Sequence, residues 1–336
     1  MPITPPMTPP LPTGLGTQAY RVGTTSPADG PNSQKRFSLR DHDSYVSLTM
    51  EFRCNLRCTH CMIEDTMDRL VPTDDASFDA ILAEQAATSK WQGLVLTGSE
   101  ITLRRDLPDL ARRARAAGFI HIRIQTHGMH LNRAPYLESL IEAGVDEFFI
   151  SVAGQDAATH DNITRVPGSW DRMMQGMALI EAHPAELKVI TNTVVTAQSY
   201  TFLAGIVAAL APMKKVVQHE FWNYFPMAED DHKSLIVRHS DLLPPLRAAI
   251  LAAHAAGRQV EVKNIPECLM GDLRGALVNA QPTLVIDPAF WAEFDRNQFY
   301  QCPHRDSCAS TECLGLSEAY IRRYGTEAEI LHPLQF

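Results

Sequence analysis

The sequence predicts an α/β protein: a partial barrel of six strand–helix units, followed by a small C-terminal domain built on cysteines. Three observations predict it. Between Tyr45 and Val262, short apolar runs of strand type alternate with longer runs of helical type, which is the pattern of βα units and a parallel sheet. Several helical runs stop at a glycine, as helix ends do. After Val262 the alternation ends, and four cysteines follow in turn-rich sequence. Six units suit an open barrel better than the closed eight-stranded form.

The elements follow in order. Residues 1–40 are rich in Pro, Gly, Thr and Ser without periodicity, and they read as a disordered or loosely draped arm. The barrel is expected over residues 41–262. Val46–Phe52 is its first strand; Phe78–Ala87 is a helix capped by Thr73, Asp74 or Asp75. Gly93–Leu96 is a strand and Leu107–Ala117 a helix closed by Gly118. Phe119–Gln125 is a strand and Tyr136–Ala143 a helix closed by Gly144. Glu147–Val152, Leu187–Val195 and Val216–Phe221 are strands, separated by helices Trp170–Ala182 and Phe202–Leu210. Leu242–Ala256 is the clearest helix, with Pro244 and Pro245 in its first turn and Gly257 as its stop. Residues 263–336 form the second domain. No internal repeat is visible.

Composition excludes several function classes. The 336 residues are 45% hydrophobic and 21% charged, enough to bury a large core. A net charge of −9 argues against a non-specific nucleic-acid binder. No apolar run approaches the roughly 20 residues that span a bilayer, and Met1–Pro12 lacks the apolar core of a secretory signal. The expected location is the cytoplasm, with no membrane partner. There are seven cysteines, three within Cys54–Cys61 and three within Cys302–Cys313. Such clustering in a chain of this size points to metal rather than to a disulfide framework.

The first group reads Cys54-Asn-Leu-Arg-Cys58-Thr-His-Cys61, directly after a strand. Three thiolates on one loop can ligate three irons of a four-iron cluster and leave the fourth open to a ligand. The alternative is a zinc ion short of one ligand. His60 is adjacent to Cys61, and neighbouring residues rarely reach one tetrahedral ion together; the spacing also differs from that of zinc ribbons. The motif resembles that of the radical S-adenosylmethionine superfamily. The resemblance implies a [4Fe-4S] cluster whose open iron holds S-adenosylmethionine, and a 5′-deoxyadenosyl radical that takes a hydrogen atom from substrate. It also implies a flavodoxin- or ferredoxin-type electron donor. His60 stands where the family commonly has an aromatic residue near the cofactor.

Further segments resemble the family in order along the chain. Leu96-Thr97-Gly98-Ser99-Glu100 is similar to the motif that binds the methionine amino group, with Gly98 and Ser99 allowing close backbone approach and Glu100 as acceptor. Ile124-Gln125-Thr126-His127-Gly128 resembles a Thr-Asn-Gly segment; it brings Gln125 to the cofactor, while His127 faces the cofactor or substrate or is a loop histidine satisfied by backbone. Ile150-Ser151-Val152-Ala153-Gly154 keeps Ser151 but has Ala153 where relatives have Asp. Thr159–Arg165 resembles a stretch with an Arg on the cofactor carboxylate; Arg165 fills that role or is a surface residue. Thr191-Asn192-Thr193 matches a segment whose Asn contacts the ribose, and Asn192 needs such a reason to lie within a strand.

Cys268, Cys302, Cys308 and Cys313 can fully ligate a second [4Fe-4S] cluster. They resemble the shortened auxiliary-cluster domain called Twitch, a relative of SPASM. A four-thiolate zinc site is the alternative, and a set of three with Cys268 free is another. Full ligation leaves no thiol to return a hydrogen atom, so net oxidation or cross-linking of substrate is expected. A free Cys268 would instead suit an epimerase, and a carrier without catalysis would be an iron–sulfur protein lacking a cofactor pocket. The substrate is expected to be a peptide or a small metabolite; the short N-terminus leaves no room for a leader-binding domain, and Gln335-Phe336 lacks the Gly-Gly tail of the molybdenum-cofactor GTP cyclases. His219, Trp222, Asn223 and Tyr224 are candidate pocket residues. Glu229, Asp230 and Asp231 read as a solvated acidic loop.

Overall fold

The six expected strands are present: β1 (Tyr45–Glu51), β2 (Gly93–Gly98), β3 (His121–Thr126), β4 (Glu147–Ser151), β5 (Lys188–Val195) and β6 (Val216–Asn223). The computed structural model describes residues 42–310 and 313–335; the predicted arm over 1–40 lies outside the described residues. Two more strands extend the sheet. β7 (Gln259–Lys263) pairs with β6, and β8 (Thr283–Val285) pairs with β1. The order is β7-β6-β5-β4-β3-β2-β1-β8, and every pairing is parallel. This is the predicted partial barrel with a strand added at each edge.

Helices cover the outer face: α1 (Asp75–Thr88), α2 (Leu107–Ala116), α3 (Ala134–Glu142), α4 (Ala157–Thr164), α5 (Ser169–Ala182), α6 (Leu203–Leu210) and α7 (His239–Ala255). α4 was not expected; its sequence, Ala-Ala-Thr-His-Asp-Asn-Ile-Thr, carries no sustained apolar stripe. Of the three residues proposed to cap α1, Asp74 does so, accepting from the Ser77 backbone N–H at 2.8 Å. α7 starts three residues earlier than predicted, at His239, so Pro244 and Pro245 lie inside it rather than in its first turn. Neither has an N–H to give to the preceding turn. Gly144, after α3, has φ +104°, and a Cβ there would collide with the Arg115 side chain.

Successive strand side chains face opposite sides, and a parallel sheet is buried on both. All seven residues of β1 are buried. Val46, Leu48 and Met50 join Leu94, Leu96, Ile122, Ile124, Phe148 and Ile150 against the helices. Ser47, Thr49 and Glu51 therefore face inward. The inner face is polar towards the later strands. Ser151, Asn192, Glu220 and Glu261 lie in one cross-strand row over β4–β7. Beyond β8 come α8 (Ala289–Phe294) and α9 (Glu318–Tyr324). A cluster of Phe225, Phe290 and Phe294 packs the first of these onto Phe52 and Leu70. No helix among the described residues is long and apolar enough to cross a membrane.

Candidate functional site

The first three cysteines lie on the loop that leaves the C-terminal end of β1. This loop is pinned to the end of α4, since Arg57 N donates to Thr164 O at 3.0 Å and Thr59 N to Ile163 O at 2.9 Å. Cys61 N donates to Cys58 O at 3.0 Å, and Leu56 N to Cys54 Sγ at 3.4 Å. The three thiols influence one another electrostatically. Burial pushes Cys54 up to about 11, and a charged Cys61 adds to it. Burial pushes Cys58 up to about 12, with Cys54 and Cys61 next in effect. Among the described residues, no three His, Cys, Asp or Glu side chains are close enough to hold one metal ion.

Next to this loop is the end of β2. A Cβ on Gly98 would collide with the Glu51 carbonyl oxygen, so only glycine fits. Ser99 N continues the ladder by donating to that carbonyl at 2.8 Å. Glu100, expected as a cofactor acceptor, is fully buried and already engaged. Its Oε1 accepts from Thr102 N (2.9 Å), Thr102 Oγ1 (2.5 Å) and Thr126 Oγ1 (2.7 Å), and its Oε2 from His127 N (2.8 Å). A carboxylate has about four acceptor sites, so Glu100 ties the ends of β2 and β3 together. His127 is the buried loop histidine of the two readings. Its Nδ1 accepts from Met129 N at 3.2 Å, and its Nε2 faces Asn55 Oδ1 at 2.6 Å.

Three of the other residues expected around the cofactor are left wanting partners. His60 Nδ1, Ser99 Oγ and Asn192 Oδ1 are buried with no hydrogen-bond partner among the described residues. Burial, with Lys233 second, pushes His60 down to about 4, so its ring is neutral. Gln125 is satisfied internally by the Thr97 hydroxyl. Ser151, opposite Asn192 in register, and Arg165, at the left-handed C-cap of α4, are exposed.

Among the candidate pocket residues, Trp222 faces inward, donating from Nε1 to Glu220 Oε2 at 2.7 Å and lying 6.2 Å from the Phe149 ring centre. His219 faces the other way: Nδ1 pairs with Thr191 Oγ1 at 2.7 Å, and the ring stacks on Phe221 in the helix-side core. The alternation of β6 puts His219 and Trp222 on opposite faces. Asn223 Nδ2 donates to Asn264 O at 3.0 Å, and Tyr224 is buried against Leu316 and Tyr320. The acidic loop is not simply solvated. Asp231 accepts from Leu235 N and Ile236 N and pairs with Arg323, while Asp230 and Glu229 pair with Arg322 and Arg296.

The four later cysteines converge. Burial raises the Cys268 thiol first, and Cys313, Cys302 and Cys308 each raise it further. Cys313 is raised by burial and by Cys302 in the same way. Backbone N–H groups point at the sulfurs: His304 N at Cys302 (3.4 Å), and Gly315 N (3.3 Å) and Glu267 N (3.4 Å) at Cys313. Such bonds favour thiolate and tune iron–sulfur ligands. Cys268 and Cys302 pack beside Tyr224 and Val194, the latter on the inner face of β5. Sequence alone missed the Asn55–His127 contact and the inward Glu220, Glu261 and Lys263; polar residues alternating with valine in β7 were the one visible signal.

Residues 50–196 match the model of the Radical SAM superfamily. The chain is similar to a GTP 3′,8-cyclase of Rhodopirellula baltica, 32% identical over 58% of this chain and 54% of that protein. It is also similar to a PqqA peptide cyclase of Xanthomonas axonopodis, 25% identical over 84% of this chain and 76% of that one. The match spans about half the length of several such relatives. The fold resembles the crystal structure of Streptococcus suis SuiB, with a TM-score of 0.54 at 13% identity, covering 87% of this chain and 76% of that one.

Proposed function

We propose, from the premise that this chain belongs to the Radical SAM superfamily through residues 50–196, that it is a radical enzyme acting on a peptide or a small metabolite. The observation that carries the reading is the set of polar atoms on His60, Ser99 and Asn192 that are buried with no hydrogen-bond partner among the described residues, the first within the three-thiol loop, the second directly after β2 and the third on β5. Buried polar groups are almost always hydrogen-bonded, and leaving one unmade costs about 1–3 kcal/mol. Three such atoms, on the cysteine loop, at the end of β2 and within β5, fit the polar edges of S-adenosylmethionine.

Cys54, Cys58 and Cys61 would hold a [4Fe-4S] cluster, with Gly98 keeping the β2 backbone close by. Bound there, cluster and S-adenosylmethionine together supply a 5′-deoxyadenosyl radical by one-electron cleavage of the sulfonium. Glu100 holds the β2–β3 rim in place, and the neutral His60 presents Nδ1 without adding charge. Trp222 and Phe149 form an apolar wall on the inner face where substrate would lie. Cys268, Cys302, Cys308 and Cys313 would hold a second [4Fe-4S] cluster. With Cys268 as the fourth ligand, no thiol would remain to return a hydrogen atom, and the reaction would be net substrate oxidation or cross-linking rather than epimerisation. The similarity to a peptide cyclase over 84% of this chain favours a peptide substrate. A flavodoxin- or ferredoxin-type donor in the cytoplasm would supply the electron.

Anaerobic reconstitution tests this directly. About 8 iron per chain are expected for two four-iron clusters, and reduced protein should release 5′-deoxyadenosine from S-adenosylmethionine. Zinc at both cysteine groups, or no cleavage with iron in place, overturns the reading. Cys268→Ala should lose the second cluster. An intact second cluster in that variant, with wild-type product taking up solvent deuterium at carbon, would make Cys268 a hydrogen donor and the enzyme an epimerase.

A further inference from the structure

We propose that the segment His332–Leu334 is a strap that raises the reduction potential of the group held by Cys268, Cys302, Cys308 and Cys313. The inference rests on the reading of those four thiolates as cluster ligands. Leu334 N donates to Cys308 Sγ at 3.3 Å, and Leu334 O accepts from Ala309 N at 2.9 Å. Both backbone groups of one residue are thus committed to the cysteine loop. The His332 backbone lies against the Cys268 thiol and favours its thiolate form. Leu331, 2% exposed, anchors the strap in the cluster of Tyr224, Leu235, Leu316 and Tyr320.

The strap differs in origin from the local donors His304 and Gly315. His304 and Gly315 each lie two residues past the cysteine they serve, and Glu267 sits on the Cys268 turn. The His304 and Gly315 bonds come with the local fold of the ligand loops, whereas the Glu267 bond joins residues 46 apart in the chain. Leu334 is 26 residues from Cys308, and no local turn dictates its approach. An N–H dipole aimed at sulfur interacts more strongly with the more negative, reduced cluster, so each such bond raises the potential.

Leu334→Pro removes the donor, because proline has no N–H, whereas Leu334→Ala keeps it. The midpoint potential of the second cluster is measured by redox titration of the full chain carrying Cys54→Ala, Cys58→Ala and Cys61→Ala. The expected result is a shift to more negative potential in Leu334→Pro and none in Leu334→Ala. A chain ended after Leu331 loses both contacts and should shift further the same way. An unchanged potential in Leu334→Pro and in the shortened chain, with iron retained, overturns the strap. Loss of iron from both, with Leu334→Ala intact, also overturns it, since the segment would then hold the cluster rather than tune it. No cluster in the parent chain instead overturns the iron–sulfur reading on which it rests.

Discussion

His127 Nε2 lies 2.6 Å from Asn55 Oδ1, linking the end of β3 to the residue that follows Cys54. Because Nδ1 accepts from Met129 N, the ring proton is assigned to Nε2, which makes Nε2 the donor. Burial pushes the His127 pKa down, so the ring stays neutral. The same Nε2 is 3.1 Å from Glu100 Oε2. Glu100, His127 and Asn55 therefore form a chain, buried at Glu100 and His127 and exposed at Asn55, that ends at the first cysteine loop.

Outer partners of metal ligands typically change metal affinity by about 10–100-fold when removed. His127→Ala should speed iron loss to a chelator by about 10-fold, and Asn55→Ala should do the same. His127→Gln, which keeps an N–H donor, should lose iron more slowly than His127→Ala. Equal release rates in all four proteins would show that the loop is fixed by its bonds to α4 alone.

Glu100→Gln should act on the fold before it acts on any cofactor. The carboxylate accepts from four donors, and a glutamine must turn an N–H₂ towards at least one of them. An unmade buried bond costs about 1–3 kcal/mol. The melting temperature of the ligand-free variant should fall clearly. A variant that melts like the parent yet binds S-adenosylmethionine poorly would return Glu100 to the acceptor role its sequence position suggests.

Ser99→Ala and Asn192→Ala should behave in the opposite way. Neither Ser99 Oγ nor Asn192 Oδ1 has a hydrogen-bond partner among the described residues, so their removal forfeits no bond seen there. Both variants should keep their ligand-free melting temperature within about 1 kcal/mol of stability, while the Kd for S-adenosylmethionine rises by about 5–10-fold, the worth of one hydrogen bond. Isothermal titration on reconstituted protein measures it. Unchanged affinity in both would remove these residues from the cofactor shell.

How far the sequence carried depended on the range of each signal. The six strands and their helices were legible because β-branched and aromatic runs of strand length alternate with longer helical runs that stop at glycines. β8 was not, since three residues carry no period. β7 was overlooked because Glu261 and Lys263 interrupt its valines, and only the fold reveals that they face inward with His42 and Glu220. Glu100 was visible as a carboxylate after Gly98 and Ser99. The convergence of Thr102, Thr126 and His127 on it is tertiary, and spacing does not encode it. Cys268, far along the chain from its group, was recognisable only by counting.

The last prediction concerns acid stability. His239 is 3% exposed and stacks on Tyr320, with ring centres 4.1 Å apart and planes at 16°. Burial pushes its pKa from 6.5 down to about 3. Below about pH 6.5 the unfolded chain takes up a proton there that the folded chain refuses, so the unfolded state binds more protons and stability falls as pH falls. The loss runs from the unfolded value down towards the folded one. His219, pushed down to about 4 by burial, adds a loss of the same sign. Glu220, raised by burial and by Glu261, has the opposite sign. Comparison with a single variant cancels both. His239→Phe keeps a ring on Tyr320 and loses the proton site; His239 Nδ1 has no hydrogen-bond partner among the described residues. Between about pH 7 and pH 5, above the range of ordinary carboxylates, the parent should lose melting temperature more steeply than His239→Phe, and the two should converge at about pH 7.5. Parallel curves across that window would mean that His239 takes up its proton in the folded chain as readily as in water.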